Sequence, residues 1–144
     1  MAEYIPTPTE WVRKQVELYE SSGGKEGTTL RDSGLPVVLV THTGRKTGAV
    51  RKTPLMRVNV DGTYVLVASQ GGAPKHPVWY HNFLEHPQVT VRDGETVMEG
   101  EVRLVEDPDE RERLWTAAVQ AFPPYGEYQQ RTERVIPVFA FEAK

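Results

Sequence analysis

Residues 37–69 read VVLVTHTGRKTGAVRKTPLMRVNVDGTYVLVAS and contain three strand-like runs separated by turns. The first run, VVLV, is β-branched apart from its leucine and is too short for a helix. The second run, near 50–60, contains Pro54, which is typical of an edge strand or a bulge. Asp61-Gly62 predicts a two-residue hairpin turn before the third run. Because hairpins join antiparallel strands, this stretch predicts an antiparallel sheet.

The rest of the chain extends this pattern and adds helices. Asp93-Gly94 predicts another hairpin, and Asp107-Pro108 predicts the capped start of a helix. The predicted strands lie at 37–40, 50–60, 63–69, 88–92, 95–105 and 135–141, and the predicted helices lie within 1–24, starting near Thr9, and at 77–85, 107–122 and 125–133. A length of 144 residues predicts one domain over 1–144. We expect an α+β protein, mainly antiparallel β, whose roughly six strands form a small barrel or a highly curved sheet.

Several classes of protein are excluded by what the sequence lacks. The absence of cysteine excludes a disulfide scaffold, a thiol nucleophile and thiolate metal sites. The four histidines, His42, His76, His81 and His86, do not have the spacing of metal ligands, so we expect no metal site. Phosphate-loop, dinucleotide-binding and serine-hydrolase motifs are missing. No long apolar run and no signal-peptide pattern is present, so we expect a cytoplasmic protein.

Charge is distributed unevenly along the chain. The net charge is −3, yet residues 33–60 contain no acid. Five cations fall in this stretch: Arg45, Lys46, Arg51, Lys52 and Arg57. A basic stretch in an acidic protein predicts a local anion site, with glycines at 44 and 48 exposing backbone N–H groups beside the loop cations. Nucleic acid is the weaker interpretation because the sequence pI is near 5.8. A solvated hairpin is the alternative.

Two other segments predict a site for a flat ligand. The loop at 69–72 supplies backbone donors after a strand, and Lys75 with the aromatic stretch at 79–82 follows it. Core packing of Trp79 and Tyr80 is the alternative. The aromatic cluster of Phe122, Tyr125 and Tyr128 predicts either a lid with phenolic donors or a packed flap.

Taken in order, these segments resemble the deazaflavin (coenzyme F-420)-dependent nitroreductase and quinone reductase family of actinobacteria. The matching segments are 23–25, 35–48, 51–55, 68–82 and 125–138. The resemblance implies a split β-barrel like that of FMN-binding proteins. It also implies coenzyme F-420, an 8-hydroxy-5-deazaflavin that donates hydride in its reduced form. The phosphate and the carboxylate-rich tail of this cofactor would explain the basic stretch.

The resemblance also implies a set of site residues. For the phosphate and tail it implies Arg45, Lys46, Thr47 and Lys75, and along the rest of the cofactor Arg51, Thr53 and Pro54. The deazaflavin ring would be framed by Ala68, Ser69, Gln70, Val78, Trp79, Asn82 and Tyr125. Ser69, Tyr125 and Tyr128 would act as catalytic hydrogen-bond donors, and Met56, Phe122 and Tyr128 would contact the substrate.

Three positions depart from the family pattern. Gln70 stands where many relatives have lysine, which removes one charged contact. Met56 and Phe122 stand where the member that reduces nitro drugs has tyrosines. The loss of two hydroxyls weakens the expectation that bulky nitroimidazole drugs are reduced.

The leading functional prediction is a reductase, monomeric or homodimeric, that transfers hydride from reduced F-420 to a quinone, nitro compound or activated alkene. An FMN-binding split-barrel reductase and a non-catalytic deazaflavin carrier are the alternatives. A peripheral membrane contact through Trp11, Val12, Val16 and Tyr19 is a further hypothesis. Against it stands a simpler role for the N-terminal helix, which could pack on the barrel or close over the site.

Overall fold

One seven-stranded antiparallel sheet carries four helices in the computed structural model, which describes residues 3–30 and 33–144. The strands are β1 (Val37–Thr43), β2 (Val50–Met56), β3 (Asn59–Val60), β4 (Thr63–Val67), β5 (Gln88–Asp93), β6 (Thr96–Leu104) and β7 (Val138–Ala143). The helices are α1 (Glu10–Ser21), α2 (Val78–Glu85), α3 (Pro108–Ala121) and α4 (Pro124–Arg131). Their order across the sheet is β2-β1-β5-β6-β7-β4-β3. The expected α+β split β-barrel is confirmed, with one strand more than the six expected.

The hairpin predictions differ in accuracy. Asp61 and Gly62 form the two-residue turn between β3 and β4, and both have positive φ angles of 51° and 93°. In the β5–β6 hairpin, Asp93 pairs with Thr96, so the turn residues are 94 and 95 and the predicted Asp93-Gly94 turn is off by one position. The side chain of Asp93 is held elsewhere, by Arg57 and Tyr64.

Two predicted strands have different bounds in the structure. The run at 50–60 breaks after Met56, which produces the separate two-residue strand β3. The last strand begins at Val138 rather than at 135. The reason is that the backbone before it bonds to other elements: Ile136 N donates to Gln129 Oε1 at 2.9 Å, and Ala68 N donates to Pro137 O at 3.0 Å. Pro54 lies in β2 at one end of the sheet, as the edge-strand prediction requires.

Alternation along the strands divides the core into separate clusters. Val38 and Val40 of β1 face a cluster that contains Trp79 and Phe83 of α2, whereas Leu39 packs toward α1. Strand β4 alternates in the same way between the α2 side and the cluster under α3 and α4. Burying each such side chain contributes about 1.5–3 kcal/mol. The helices therefore cover both faces of the sheet and enclose the region between β2 and β4, which approach each other without pairing.

Helix α1 is attached to the sheet through Tyr19. The Tyr19 hydroxyl accepts a hydrogen bond from Gly94 N at 2.8 Å and lies 3.2 Å from the carbonyl oxygens of Val37 and Arg92. The helix begins after Thr9 as predicted, although the Thr9 side chain makes no capping bond. Within residues 3–30 and 33–144, no helix has the length and apolar character that crossing a membrane requires.

We expect Gly24→Ala to cost far more stability than Gly23→Ala. Both glycines end α1 with positive φ, so each substitution carries a backbone penalty of about 1 kcal/mol. A Cβ at Gly24 would lie 1.9 Å from Gly94 O, whereas a Cβ at Gly23 meets nothing within 4 Å. Urea unfolding should show a loss of about 3 kcal/mol for Gly24→Ala. Equal losses in the two variants would show that the contact with Gly94 is unimportant.

Candidate functional site

Two adjoining clefts lie along strand β2 and helix α2. The larger is a cavity of about 380 Å³, which we call the apolar cavity. The second is a cleft of about 340 Å³ beside the loop at 44–48, which we call the basic cleft. Thr53 lines the apolar cavity and Arg51, two positions earlier on β2, lines the basic cleft. On α2, Trp79 lines the apolar cavity and its neighbour Val78 lines the basic cleft.

The apolar cavity combines residues from both ends of the sheet and from three helices. Helix α1 contributes Trp11, Val12 and Gln15. Among the residues predicted from the sequence, the cavity is lined by Thr53, Pro54, Met56, Ser69, Gln70, Trp79, Phe122, Tyr125 and Tyr128. Hydroxyl groups of threonine, serine and tyrosine are therefore set in a largely apolar wall. Such a wall suits a flat aromatic ligand whose polar edge needs a few hydrogen bonds.

The basic cleft is built on a tight turn after β1. Gly48 N donates to Gly44 O at 2.9 Å, and Thr47 Oγ1 accepts a hydrogen bond from Ala49 N at 3.1 Å. Gly48 has a φ of 71°, which favours glycine. The lining includes Gly44, Arg45, Lys46, Thr47, Arg51, Val78, His81 and Asn82. The apolar Val78 side chain is 74% exposed at this cleft.

Only three of the five cations from the acid-free stretch meet at this cleft. Lys52 Nζ pairs with Glu20 Oε1 at 2.7 Å, and Arg57 Nε pairs with Asp93 Oδ2 at 2.8 Å. The other two cations, Lys52 and Arg57, are therefore paired with acids outside the basic cleft. Because successive residues of a strand point to opposite faces, Lys52 points away from the basic cleft that Arg51 lines.

Ala68 and Lys75 are the two predicted site residues that line neither cleft. Ala68 is fully buried in the core cluster with Trp79, and its backbone bonds to Pro137 and Arg134. Lys75 is exposed. Among the described residues, no group of three histidine, aspartate or glutamate side chains is gathered to hold a metal ion.

Tyr125 and Tyr128 approach the cavity from α4. Tyr125 is 5% exposed, and its ring packs against Phe122 at a centroid distance of 5.0 Å. Burial raises the pKa of Tyr125 well above its usual value, so its hydroxyl keeps its proton at any physiological pH. Tyr128 is half-buried, and its backbone packs so closely on Gly72 that a Cβ there would lie 2.7 Å from Tyr128 O.

Arg134 holds the loop after β4 and was not singled out from the sequence. Its guanidinium donates to Ala68 O at 3.1 Å, Ser69 O at 2.6 Å and Ala73 O at 2.8 Å. It also donates to His76 Nδ1 at 3.0 Å. The loop needs this support because Gln70 has a strained positive φ of 45°. Sequence reading could not find this role, since the partners are backbone atoms about sixty positions away.

A buried polar chain joins the two clefts and includes His42. Arg45 N donates to Asn82 Oδ1 at 2.8 Å, Asn82 Nδ2 lies 3.3 Å from His42 Nδ1, and His42 Nε2 lies 2.9 Å from Thr53 Oγ1. Burial, with a smaller contribution from Arg51, lowers the pKa of His42 to about 4. From the sequence, His42 is considered only as a possible metal ligand and is given no role. Its two partners are the signal that separates it from the other histidines.

The antiparallel sheet with an apolar cavity beside a cationic turn places the protein in the class of split-barrel, FMN-binding-like folds. A family model described as F420H(2)-dependent quinone reductase matches residues 11–143. The chain therefore belongs to the F420H(2)-dependent quinone reductase family, whose members depend on reduced F-420 as the hydride donor.

Individual relatives agree with this assignment. An F420H(2)-dependent quinone reductase of Mycobacterium tuberculosis is 37% identical over 125 residues, which cover 84% of this chain and 82% of the relative. A solved structure described as an F420-H2 dependent reductase is 52% identical with a TM-score of 0.70, over 74% of this chain and 94% of that chain. A solved chain described as a domain-swapped dimer is 48% identical with a TM-score of 0.73, over 94% of this chain and all (100%) of that chain.

We expect Arg134→Lys to loosen the loop at 68–76. Lysine keeps the charge but cannot reach several carbonyl oxygens in the plane of a guanidinium. The loss of charged hydrogen bonds should lower the free energy of unfolding by about 2 kcal/mol. Amide hydrogen exchange should become faster in this loop. The exposed Arg113 on α3 gives the control, because Arg113→Lys should leave both quantities unchanged. Unaltered exchange in Arg134→Lys would contradict the role given to Arg134.

Proposed function

We propose that this protein is a reductase that binds reduced F-420 across both clefts and delivers its hydride to a quinone in the apolar cavity. The observation that carries the proposal is the continuity of the two clefts along β2 and α2. A deazaflavin cofactor has one apolar aromatic end and one anionic end. The apolar cavity of about 380 Å³ suits the ring, and the cleft beside Arg45, Lys46 and Arg51 suits the phosphate and the tail.

The cofactor contacts follow from the chemistry of each cleft. Arg45 and Lys46 hold the phosphate with the Thr47 hydroxyl, and Arg51 holds the chain between phosphate and ring. The exposed Val78 side chain becomes covered when the cofactor binds. Lys75 reaches the flexible tail from the rim. Gln70 stands where many relatives have lysine and adds no charge. The cations that contact the cofactor are therefore Arg45, Lys46, Arg51 and Lys75.

The ring end is oriented by side chains that cannot ionise under physiological conditions. Trp79 provides an aromatic wall, while Thr53 and Pro54 lie along the ring. When bound, the reduced deazaflavin supplies a hydride. Ser69, Tyr125 and Tyr128 donate hydrogen bonds to the acceptor oxygen, where negative charge grows during transfer. The raised pKa of Tyr125 keeps its proton in place for this donation.

The acceptor is a flat apolar quinone, and the same cavity takes nitro compounds and activated alkenes of similar size. Met56 and Phe122 line the cavity with apolar groups, which suits an uncharged ring better than a strongly polar one. Helix α1 forms a further wall through Trp11, Val12 and Gln15. We therefore assign α1 to closing the acceptor side. A bilayer role for α1 would require vesicle co-sedimentation that falls in Trp11→Ser.

We also propose that the protein forms a homodimer. The support is the solved chain described as a domain-swapped dimer, which is 48% identical to this chain over most of its length. Light scattering at several concentrations tests this proposal, and a single mass equal to one chain at all of them would contradict it.

The central experiment mixes the protein anaerobically with reduced F-420 and menadione and follows the absorbance of oxidised F-420. Enzyme-dependent recovery of that absorbance establishes the reductase. Tight binding of F-420 without turnover on quinones, nitro compounds and enones would instead establish a carrier. A yellow protein that retains FMN and ignores F-420 would establish the FMN-binding alternative.

We expect Arg45→Ala to weaken F-420 binding about tenfold, because a charged contact with the phosphate is worth about 1.4 kcal/mol in a half-exposed cleft. The loss should shrink as salt concentration rises. Binding of a deazaflavin that lacks the phosphate and the tail should be unaffected. Arg113→Ala on α3 provides the control. A loss of equal size for the truncated deazaflavin would place Arg45 at the ring and contradict the proposal.

We expect Tyr128→Phe to lower kcat about 100-fold while the Kd of F-420 changes little, because the hydroxyl acts on charge that develops only during transfer. Single-turnover oxidation of reduced F-420 by menadione measures the effect. Tyr4→Phe is the matched control, since Tyr4 lies beside Lys52 and lines neither cleft. Unchanged turnover in Tyr128→Phe would remove the tyrosine hydroxyl from the mechanism.

A further inference from the structure

In the series of hydrogen bonds from Arg45 through Asn82 and His42 to Thr53, donors and acceptors can be assigned in only one way. Arg45 N carries a backbone proton, so the atom that faces it must be the Asn82 oxygen, at 2.8 Å. The Asn82 amide nitrogen then faces His42, and an amide nitrogen can only donate. His42 Nδ1 must therefore accept, and the single proton of the neutral ring must lie on Nε2. The low pKa of His42, about 4, agrees with a neutral ring.

The direction continues to Thr53. His42 Nε2 donates to Thr53 Oγ1 at 2.9 Å. A hydroxyl that accepts this bond keeps its own proton for another partner. Thr53 lines the apolar cavity. The proton of its hydroxyl is thus directed away from the imidazole and is left for a ligand in the cavity.

We propose that His42 is a positioning residue that makes the Thr53 hydroxyl a fixed hydrogen-bond donor toward the apolar cavity. With respect to the ligand, this inference rests on the proposed function: the partner of Thr53 is an acceptor atom at the edge of the deazaflavin ring, such as a carbonyl oxygen, and not a ring N–H. Without His42, the hydroxyl would rotate freely and could present either its proton or its lone pairs.

The same chain connects the two clefts. Asn82 holds the backbone of the loop that carries the phosphate-side cations, and its other end holds His42. His42 itself is 4% exposed, and its ring is wedged edge-on against Phe83 at 5.5 Å. The imidazole therefore cannot turn over without breaking both hydrogen bonds. This rigidity sets the Thr53 hydroxyl before any ligand arrives, which lowers the ordering cost of binding.

The first test needs no cofactor. We would record ¹⁵N spectra of the imidazole rings in the full chain, with the His42 signals identified by their loss in His42→Gln. We expect the shift of an unprotonated nitrogen at Nδ1 and of a protonated nitrogen at Nε2. Both should stay unchanged between about pH 5.5 and pH 8, because burial lowers the pKa of His42 from its ordinary value near 6.5 to about 4. A proton on Nδ1, or titration of both nitrogens in this range, would overturn the proposed direction.

The second test measures binding of oxidised F-420 in a double-mutant cycle. Thr53→Val should raise the Kd about fivefold in the unaltered chain, because one neutral hydrogen bond is lost. In the His42→Phe background the same change should raise it less than about twofold, since the hydroxyl is no longer fixed. Thr53→Ser retains the hydroxyl and should raise the Kd less than Thr53→Val does, and in the His42→Gln background, which retains a donor and an acceptor, Thr53→Val should again have its larger effect. Thr63→Val on β4 is the matched control.

The outcomes separate this inference from the proposed function. Equal effects of Thr53→Val in both backgrounds would show that His42 does not orient Thr53 and would overturn the inference while leaving the reductase intact. Failure of the unaltered protein to bind F-420 would overturn the proposed function and the ligand assigned to Thr53, and the ¹⁵N spectra would still decide the direction of the chain. Thermal melting of each variant identifies any that is misfolded. If His42→Phe does not fold, comparison of the Kd values of Thr53→Val and Thr53→Ser still tests whether the Thr53 hydroxyl donates to the ligand.

Discussion

The sheet curls until β2 and β4 approach each other without pairing, and the site occupies the gap between them. A closed ladder here would fill the gap with backbone hydrogen bonds. Pro54 has no N–H to contribute to such a ladder, and it lies on β2 where the gap is lined. An open strand edge is normally a liability, because it can pair with another chain. Here α1, α4 and the loop after β4 cover the gap, and they become the walls of the cavity.

This arrangement explains why the loop after β4 requires so much support. The loop must leave the sheet at the gap, turn through successive positive φ angles at 70–72 and still present Ser69 to the cavity. Arg134 satisfies the carbonyl oxygens that such a turn leaves without ladder partners. The residues just before β7 follow the same logic, since Ile136 bonds to α4 and not to a neighbouring strand. Strand β7 is shorter than predicted because the residues before it bond to α4, one of the elements that cover the gap.

Local features of the sequence predicted most of the fold. Short β-branched apolar runs between turns located the strands, and Asp61-Gly62 and Asp107-Pro108 located a turn and a helix start, because each depends on a few neighbouring residues. The Asp93-Gly94 turn was predicted one position too early, because the Asp93 side chain bonds to Arg57 and Tyr64, which are distant in sequence. Ion pairs of this kind have no local signal. The same reason explains why the acid-free stretch gave no sign that Lys52 pairs with Glu20.

The family resemblance identified the residues that line the clefts, yet it left out those that hold them in place. Nearly all implied side chains lie in one cleft or the other, whereas Arg134 and His42 line neither the apolar cavity nor the basic cleft. Both of these act on residues that line the apolar cavity: Arg134 on the Ser69 carbonyl oxygen and His42 on the Thr53 hydroxyl.

A buried polar group without a partner costs about 1–3 kcal/mol, so the chain through the buried Asn82 and His42 to the half-buried Thr53 persists only if every member is satisfied. No fully buried side-chain nitrogen or oxygen in the described part of the chain lacks a hydrogen-bond partner. In the chain from Arg45 to Thr53, a backbone proton at one end determines the donor at the other. The fold of the turn at 44–48 therefore influences the polarity of the cavity wall.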